Sequence, residues 1–227
     1  MAIFLDTGNI KEIRKFMRMG IIRGVTTNPT ILRRDGYGGG LEELKTRQIE
    51  IAEAIKPYPL SVEVTSNDPE EMLSQAREFS GWAENINVKI PIHGPEGELD
   101  NLEIVHRLEE EEGVTVNVTA MMSAQQGLLA ALAGASYVSL FGGRISDMGH
   151  DAGGEISRLR GLIDDLVLKA KIIAGSTREV ANVADWLEAG AHFVTVTPAL
   201  LAKMPVHPYS RDTVRMFLRD AEGGSEQ

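Results

Sequence analysis

Short apolar runs alternate with longer amphipathic stretches from one end of the chain to the other. The short runs read as buried strands: Ile3–Asp6, Gly24–Thr26, Leu60–Val64, Ile86–Pro91, Val114–Val118, Tyr137–Phe141, Lys171–Gly175 and His192–Val196. Between them, apolar residues recurring every three to four positions predict helices. These cover Ile10–Met19, Leu41–Ile55, Pro69–Phe79, Leu99–Glu112, Ala124–Ala133, Gly154–Leu168, Arg178–Glu188 and Arg211–Ala221. Punctuation supports several of them. Asp68 before Pro69 and Ser123 before Ala124 are N-cap candidates, and Gly134 and Gly190 fall where a left-handed C-terminal cap belongs. The run Glu109–Glu112 reads as a solvated helix end, frayed because acids there oppose the helix dipole.

Eight evenly spaced strand–helix pairs predict an α/β chain folded as a single-domain (β/α)8 TIM barrel over residues 1–222, with a flexible tail at 223–227. A doubly wound open sheet is the competitor, since strand order is invisible in the pattern; the count of eight favours the closed ring. In such a barrel, chemistry belongs to the C-terminal strand ends and the loops after them. Each strand here begins apolar and ends polar. The ends carry Asp6, Thr26-Thr27-Asn28, Glu63, Lys89, Asn117 and Thr119 in the first half, then Ser139 and Arg144, Ser176 and Arg178, Thr195 and Thr197. Any one of these could be a cap or a loop residue, as Asp6 could be for the helix starting near Asn9. Agreement among all eight places an acid, a lysine, hydroxyls and arginines at one mouth.

Composition narrows the chemistry. Net charge is −10, which argues against a nucleic-acid groove or a polybasic membrane surface. The chain contains no cysteine, so disulfides, thiolate metal sites and a cysteine nucleophile are excluded, and a reducing, cytoplasmic setting fits. The N-terminal MAIFLDTGN reaches an aspartate too early for a signal peptide, and no apolar run approaches a membrane span. The five histidines show no ligand spacing beyond a loose His150-Asp151, so no metal is expected, and the Gly-x-Ser-x-Gly elbow of a serine hydrolase is missing.

Lys89 then stands out, an amine threaded between Val88 and Ile90. A strand-end lysine snorkelling to water is the plain alternative. Desolvation disfavours the charged form of an amine, so the sharper reading is a nucleophile that forms a Schiff base with a ketone, the iminium then serving as electron sink for a neighbouring carbon–carbon bond. Glu63 is expected to act on it through an intervening water.

The segments FLDTGNIKEI, GVTTNPTIL, SVEV, VKIP, AQQGLLAALAGASYVSLFGGRISD and IIAGSTRE together resemble the transaldolase family, in its short subfamily with fructose-6-phosphate aldolase, from about residue 3 to residue 218. The resemblance implies a (β/α)8 barrel working through a lysine Schiff base with no metal or organic cofactor, commonly as a homo-oligomer, on small sugar phosphates or sulfosugars. It implies Lys89 as the Schiff-base lysine and Asp6 as the proton-handling acid. Glu63 and Thr119 match the pair that positions water. Asn28, with Thr27 and Asn117 beside it, and Ser139 match positions around the bound dihydroxyacetone unit, and Arg144, Ser176 and Arg178 match the phosphate site. Guanidinium forks and a hydroxyl at a helix N-terminus suit a tetrahedral oxyanion.

Phe141 stands where aldolase members carry tyrosine, and Glu63 where they carry glutamine. Both favour transfer of the three-carbon unit to an aldehyde over release of free dihydroxyacetone. The departures gather at the anion end: Ser139–Arg144 reads SLFGGR, Met121-Met122 replaces a more usual pair, and Asp147–Asp151 is the chain's own. A second glycine before Arg144 is expected to let backbone approach a ligand, and Arg33 and Arg34 could add positive charge. A 6-phosphate and a 6-sulfonate donor both remain open, as does a longer-sugar biosynthetic role. From another class, a non-catalytic sugar-phosphate-binding barrel would use Lys89 only as a counter-ion.

Overall fold

The computed structural model describes residues 2–222; the predicted tail at 223–227 lies outside them. Eight parallel strands close into a ring in chain order: β1 (Ala2–Asp6), β2 (Ile22–Thr26), β3 (Leu60–Glu63), β4 (Ile86–Pro91), β5 (Val116–Met121), β6 (Tyr137–Leu140), β7 (Lys171–Ala174) and β8 (Phe193–Val196). The ring shuts where β1 pairs with β8, Ala2 to Leu5 lying against Phe193 to Val196. The chain is thus a (β/α)8 barrel.

The outer layer holds the expected helices: α1 (Ile10–Arg18), then, after a short α2 (Pro29–Arg34), α3 (Leu41–Ile55), α4 (Pro69–Ser80), α5 (Asp100–His106) and α6 (Ala124–Leu132). A second short helix, α7 (Gly142–Asp147), precedes α8 (Ala152–Asp165) and α9 (Ala181–Glu188). The chain ends in α10 (Pro198–Leu201) and α11 (Pro208–Ala221). Asp68 accepts from the Glu71 amide at 2.9 Å and Ser123 from the Gln126 amide at 3.3 Å, while Gly134 and Gly190 take φ of 102° and 109°, the left-handed values expected after a helix. Asn9, not Asp6, caps α1. The three short helices fall in loops after β2, β6 and β8, too brief for an apolar period to register.

Side chains alternate in and out along each strand. Inside, the floor is aromatic: the rings of Phe4 and Phe193 lie 4.4 Å apart, with Tyr137 6.1 Å from Phe193. Gly24 has no side chain because a Cβ there would lie 2.7 Å from the Phe4 ring. Two residues further up the same strands come Asp6, Thr26, Ser139 and Thr195, so the floor lifts the polar layer to the mouth.

The acidic run corrects its expected role. Leu99–Glu112 is not one helix; α5 passes into a wider turn over Arg107–Glu111, in which the Glu112 amide reaches the Arg107 carbonyl at 3.1 Å. That turn buries Glu109, whose carboxylate accepts from the amides of Val116 and Ser136 at 2.7 Å each and from the Ser136 hydroxyl at 3.0 Å. It ties the starts of β5 and β6 together. Glu110 pairs with Lys169. Hydrogen bonds from Arg77, then the charge of Arg77 and a second fork from Arg107, pull the Glu112 carboxyl down to about 2. The extra residue in the turn also delays β5, which begins at Val116 rather than Val114. Glu109→Ala should strand two buried amides and lower unfolding free energy by about 2–5 kcal/mol. Lys169→Met removes a half-exposed cation 2.9 Å from Glu110 and 3.4 Å from Glu109 but leaves all three hydrogen bonds of Glu109, and should cost less than Glu109→Ala in the same urea titrations.

Candidate active site

Glu63 and Lys89 are direct partners in the β3–β4 ladder, so both side chains leave the same face of the sheet at the same height. Lys89 is only 5% exposed. Its Nζ lies 2.9 Å from Glu63 Oε2 and donates to the Thr27 carbonyl at 3.0 Å. The expected intervening water gives way to direct contact because register alone brings the two together. A buried amine needs such partners. Two acceptors also fix two corners of its tetrahedral nitrogen, and Lys89 lines a cavity of about 510 Å³ at the C-terminal mouth.

Asp6, at the end of β1, shares that cavity. The Thr26 hydroxyl donates to Asp6 Oδ1 at 2.6 Å and stands 2.6 Å from the Thr195 hydroxyl, so a hydroxyl relay runs from β8 through β2 to β1. Burial pushes the Asp6 carboxyl above the usual carboxylate range, against the opposing pull of the Thr26 hydrogen bond and the Lys89 charge. An acid so placed holds its proton to higher pH than an exposed aspartate does, and can act both as donor and as acceptor. Thr119 is buried, lines the same cavity, and its hydroxyl has no hydrogen-bond partner among the described residues. It is free to hold a hydroxyl or a water beside the amine.

The structure separates the remaining candidates. Ser139, Phe141, Arg144, Ser176, Arg178 and Asn28 line the mouth cavity. Thr27 and Asn117 do not. The Thr27 hydroxyl turns outward, donating to the Ser61 carbonyl at 2.9 Å, and the residue meets Lys89 through its backbone alone. Asn117 lies beneath the cavity, giving a hydrogen bond to Ser61 Oγ at 3.1 Å and taking one from Ser139 at 2.7 Å. Asn28 spends its oxygen on the Ile31 amide, capping α2, and keeps its amide nitrogen for other partners.

At the rim, the Arg144 guanidinium lies 4.9 Å from the centre of the Phe141 ring, and Arg178 pairs with Asp147 at 2.8 Å. Arg34 joins them at the cavity edge, paired with Asp35 at 3.4 Å. Two expectations change here. The helix after β7 starts at Ala181, not Arg178, and the Asn182 side chain already takes the amides of Arg178 and Glu179, so those two amides are not open to an anion. The glycine pair before Arg144 answers to the protein itself: a Cβ on Gly142 would lie 2.7 Å from the Trp186 ring, and one on Gly143 would collide with the Ser176 carbonyl. Thr26 and Thr195 were legible only as strand-end hydroxyls; their joint contact with Asp6 depends on ring closure.

The arrangement offers an amine and two acids at the bottom of a cavity, and guanidinium groups at its rim. It can take a small carbonyl compound carrying an anion at the far end.

The family model described as Transaldolase/Fructose-6-phosphate aldolase matches residues 3–225. A "Probable transaldolase" of Streptococcus equi subsp. zooepidemicus is 40% identical over 220 residues, covering 97% of each chain, and one of Carboxydothermus hydrogenoformans is 41% identical with the same coverage. The "Probable transaldolase 2" of Listeria monocytogenes is 37% identical over 227 residues, 100% of this chain and 99% of that one. Among solved structures, a thiamine phosphate pyrophosphorylase from Pyrococcus furiosus superposes with a TM-score of 0.60 at 11% identity, covering 86% of this chain and 85% of that one; the likeness is one of fold alone.

Because burial raises the Asp6 carboxyl, the native state holds that proton more tightly than the unfolded chain. Its contribution to stability is therefore present below the unfolded value of about 4 and is lost as pH climbs through the raised native value. Asp6→Asn keeps an acceptor for Thr26 and carries no charge. Melting curves should show the variant gaining on the wild type as pH rises above that unfolded value.

Proposed function

The chain belongs to the transaldolase/fructose-6-phosphate aldolase family as a transaldolase-type enzyme, and from that premise we propose that it transfers a dihydroxyacetone unit through a Schiff base at Lys89. The observation that carries the reading is the buried Lys89 amine, held by Glu63 and the Thr27 carbonyl under a mouth that also holds Asp6 and arginines.

The sequence of steps follows from those positions. Glu63, in contact with the amine, accepts its proton, and the freed lone pair attacks the ketone carbon at C2 of the donor. The carbonyl oxygen takes up the two protons that the amine nitrogen gives up, each passed on by Glu63, and departs as water, leaving the iminium. The Asp6 carboxylate removes the proton of the C4 hydroxyl; the C3–C4 electron pair flows into the iminium, the aldose leaves, and an enamine stays on Lys89. An aldehyde acceptor then receives the enamine carbon, its alkoxide takes the proton back from Asp6, and water hydrolyses the new iminium between Glu63 and Thr119. The raised Asp6 carboxyl suits a group that must both take and return a proton.

The donor's distal anion belongs at Arg144 and Arg178, and the acceptor is an aldose phosphate such as glyceraldehyde 3-phosphate. A ketose 6-phosphate and 6-deoxy-6-sulfofructose both present a tetrahedral oxyanion there. The Arg178–Asp147 pair lowers the positive charge available to a dianion, and it keeps the singly charged sulfonate beside the phosphate as donor. Phe141, its ring under Arg144, has no hydroxyl with which to protonate the enamine, which supports transfer over release of free dihydroxyacetone. A non-catalytic sugar-phosphate barrel would need Glu63 as a counter-ion for the buried amine, but it has no use for a proton relay at Asp6.

A homo-oligomer is part of the same reading. Helix α11 buries no residue against its own chain and exposes Tyr209, Val214, Phe217 and Leu218, with Phe217 at 60%.

Borohydride reduction in the presence of donor should fix one three-carbon unit on Lys89, seen by peptide mass analysis; an unmodified lysine with both fructose 6-phosphate and sulfofructose would refute the proposal. Phe141→Tyr should raise the rate of dihydroxyacetone release without acceptor by about tenfold relative to transfer, measured by coupled assay. Phe217→Asp should shift the chain toward the monomer in analytical ultracentrifugation.

A further inference from the structure

We propose that Gln48, on α3 outside the barrel, is a positioning residue for Lys89 that acts through Thr27; the inference rests on the Schiff-base reading. The core-facing side of α3 is Leu44, Gln48, Ile51, Ala52 and Ile55, and Gln48 is 0% exposed. A leucine would fill such a place without the cost of burying an amide. The amide is instead half matched: Nε2 donates to the Thr27 hydroxyl at 3.2 Å, and Oε1 has no partner among the described residues. Packing alone gives no reason to keep it.

The direction of the hydrogen bonds is fixed by counting protons. The single hydroxyl proton of Thr27 goes to the Ser61 carbonyl at 2.9 Å, so that oxygen can only accept from Gln48, and the NH2 end must face it. The Thr27 amide goes to the same Ser61 carbonyl at 3.0 Å. Held from α3 on one side and β3 on the other, the Thr27 peptide turns its carbonyl inward onto Lys89 Nζ at 3.0 Å. That carbonyl and Glu63 are the two acceptors that orient the amine. Loss of Gln48 removes the α3 side of that hold and leaves Thr27 tied to the Ser61 carbonyl alone, so the carbonyl that anchors the amine is held less firmly.

Gln48 also lies in the wall of a second cavity, of about 710 Å³, that includes Tyr37, Thr65, Gln75 and the back of Glu63. The residue therefore touches the surroundings of both anchors of the amine while standing outside the cavity in which substrate is proposed to bind. Its loss is a defect of orientation and not of affinity.

Gln48→Met and Thr27→Val are made singly and together. Each is assayed by single-turnover borohydride trapping and by steady-state kinetics, with fructose 6-phosphate or sulfofructose, whichever traps on the wild type. Both single variants should slow trapping and kcat on the order of tenfold to a hundredfold, with donor KM held within about twofold. The double variant should be no slower than the slower single, since both cut one chain. Wild-type rates in the single variants, a loss expressed in KM, or independent additive losses would overturn the inference. Should Gln48→Met fail to fold, Thr27→Val alone decides it by the same kcat and KM criteria. Failure of the wild type itself to trap either donor is a separate result, and it removes the Schiff-base reading before any variant is compared.

Discussion

A buried ammonium is among the least favourable things a barrel interior can contain, and the contact between Lys89 and Glu63 at 2.9 Å makes it tolerable here. The same contact gives the amine a place to leave its proton. Burial, pairing and reactivity are thus one arrangement viewed three ways. Register makes it possible: β3 and β4 must align with Glu63 opposite Lys89, since a slip of one residue would turn one of them out of the barrel. The β3–β4 connection, with α4 packed beneath it, keeps that alignment.

Everything else in the interior serves the height at which that pair sits. Phe4, Tyr137 and Phe193 form an aromatic floor, and a layer of hydroxyls and one amide, Ser61, Asn117 and Ser139, lies above it. The lysine and the two acids face the mouth, and arginines stand at its edge. Polarity rises steadily along the barrel axis, which lets charged groups be held rigidly without being cut off from substrate.

Much of this was legible in the chain because the relevant signals are local. Eight apolar runs ending in polar residues gave the barrel and its polar mouth, and a lysine inside one such run gave the candidate nucleophile. What could not be read was where side chains turn once distant segments meet. Thr27 sits in a run of polar strand-end residues, yet its hydroxyl faces α3 and only its carbonyl reaches the site. The acids at 109–112 looked like a frayed end because sequence does not reveal that a widened turn swings Glu109 onto the amides of two strands. The glycine pair at 142–143 looked like room for a ligand, when Trp186 and the Ser176 carbonyl demand it. Gln48 carried no signal at all, being one polar residue on an amphipathic helix whose buried side only the packed structure identifies.

The hydroxyl relay from Thr195 through Thr26 to Asp6 joins the last strand to the first. A growing chain owns its lysine and both carboxylates well before its halfway point, but the strand that completes the acid's surroundings is the eighth to be made. Until that strand inserts, the Thr26 hydroxyl lacks its β8 partner and the flank of Asp6 beside it stays open. The surroundings of Asp6 are therefore complete only when the last strand has shut the ring against the first.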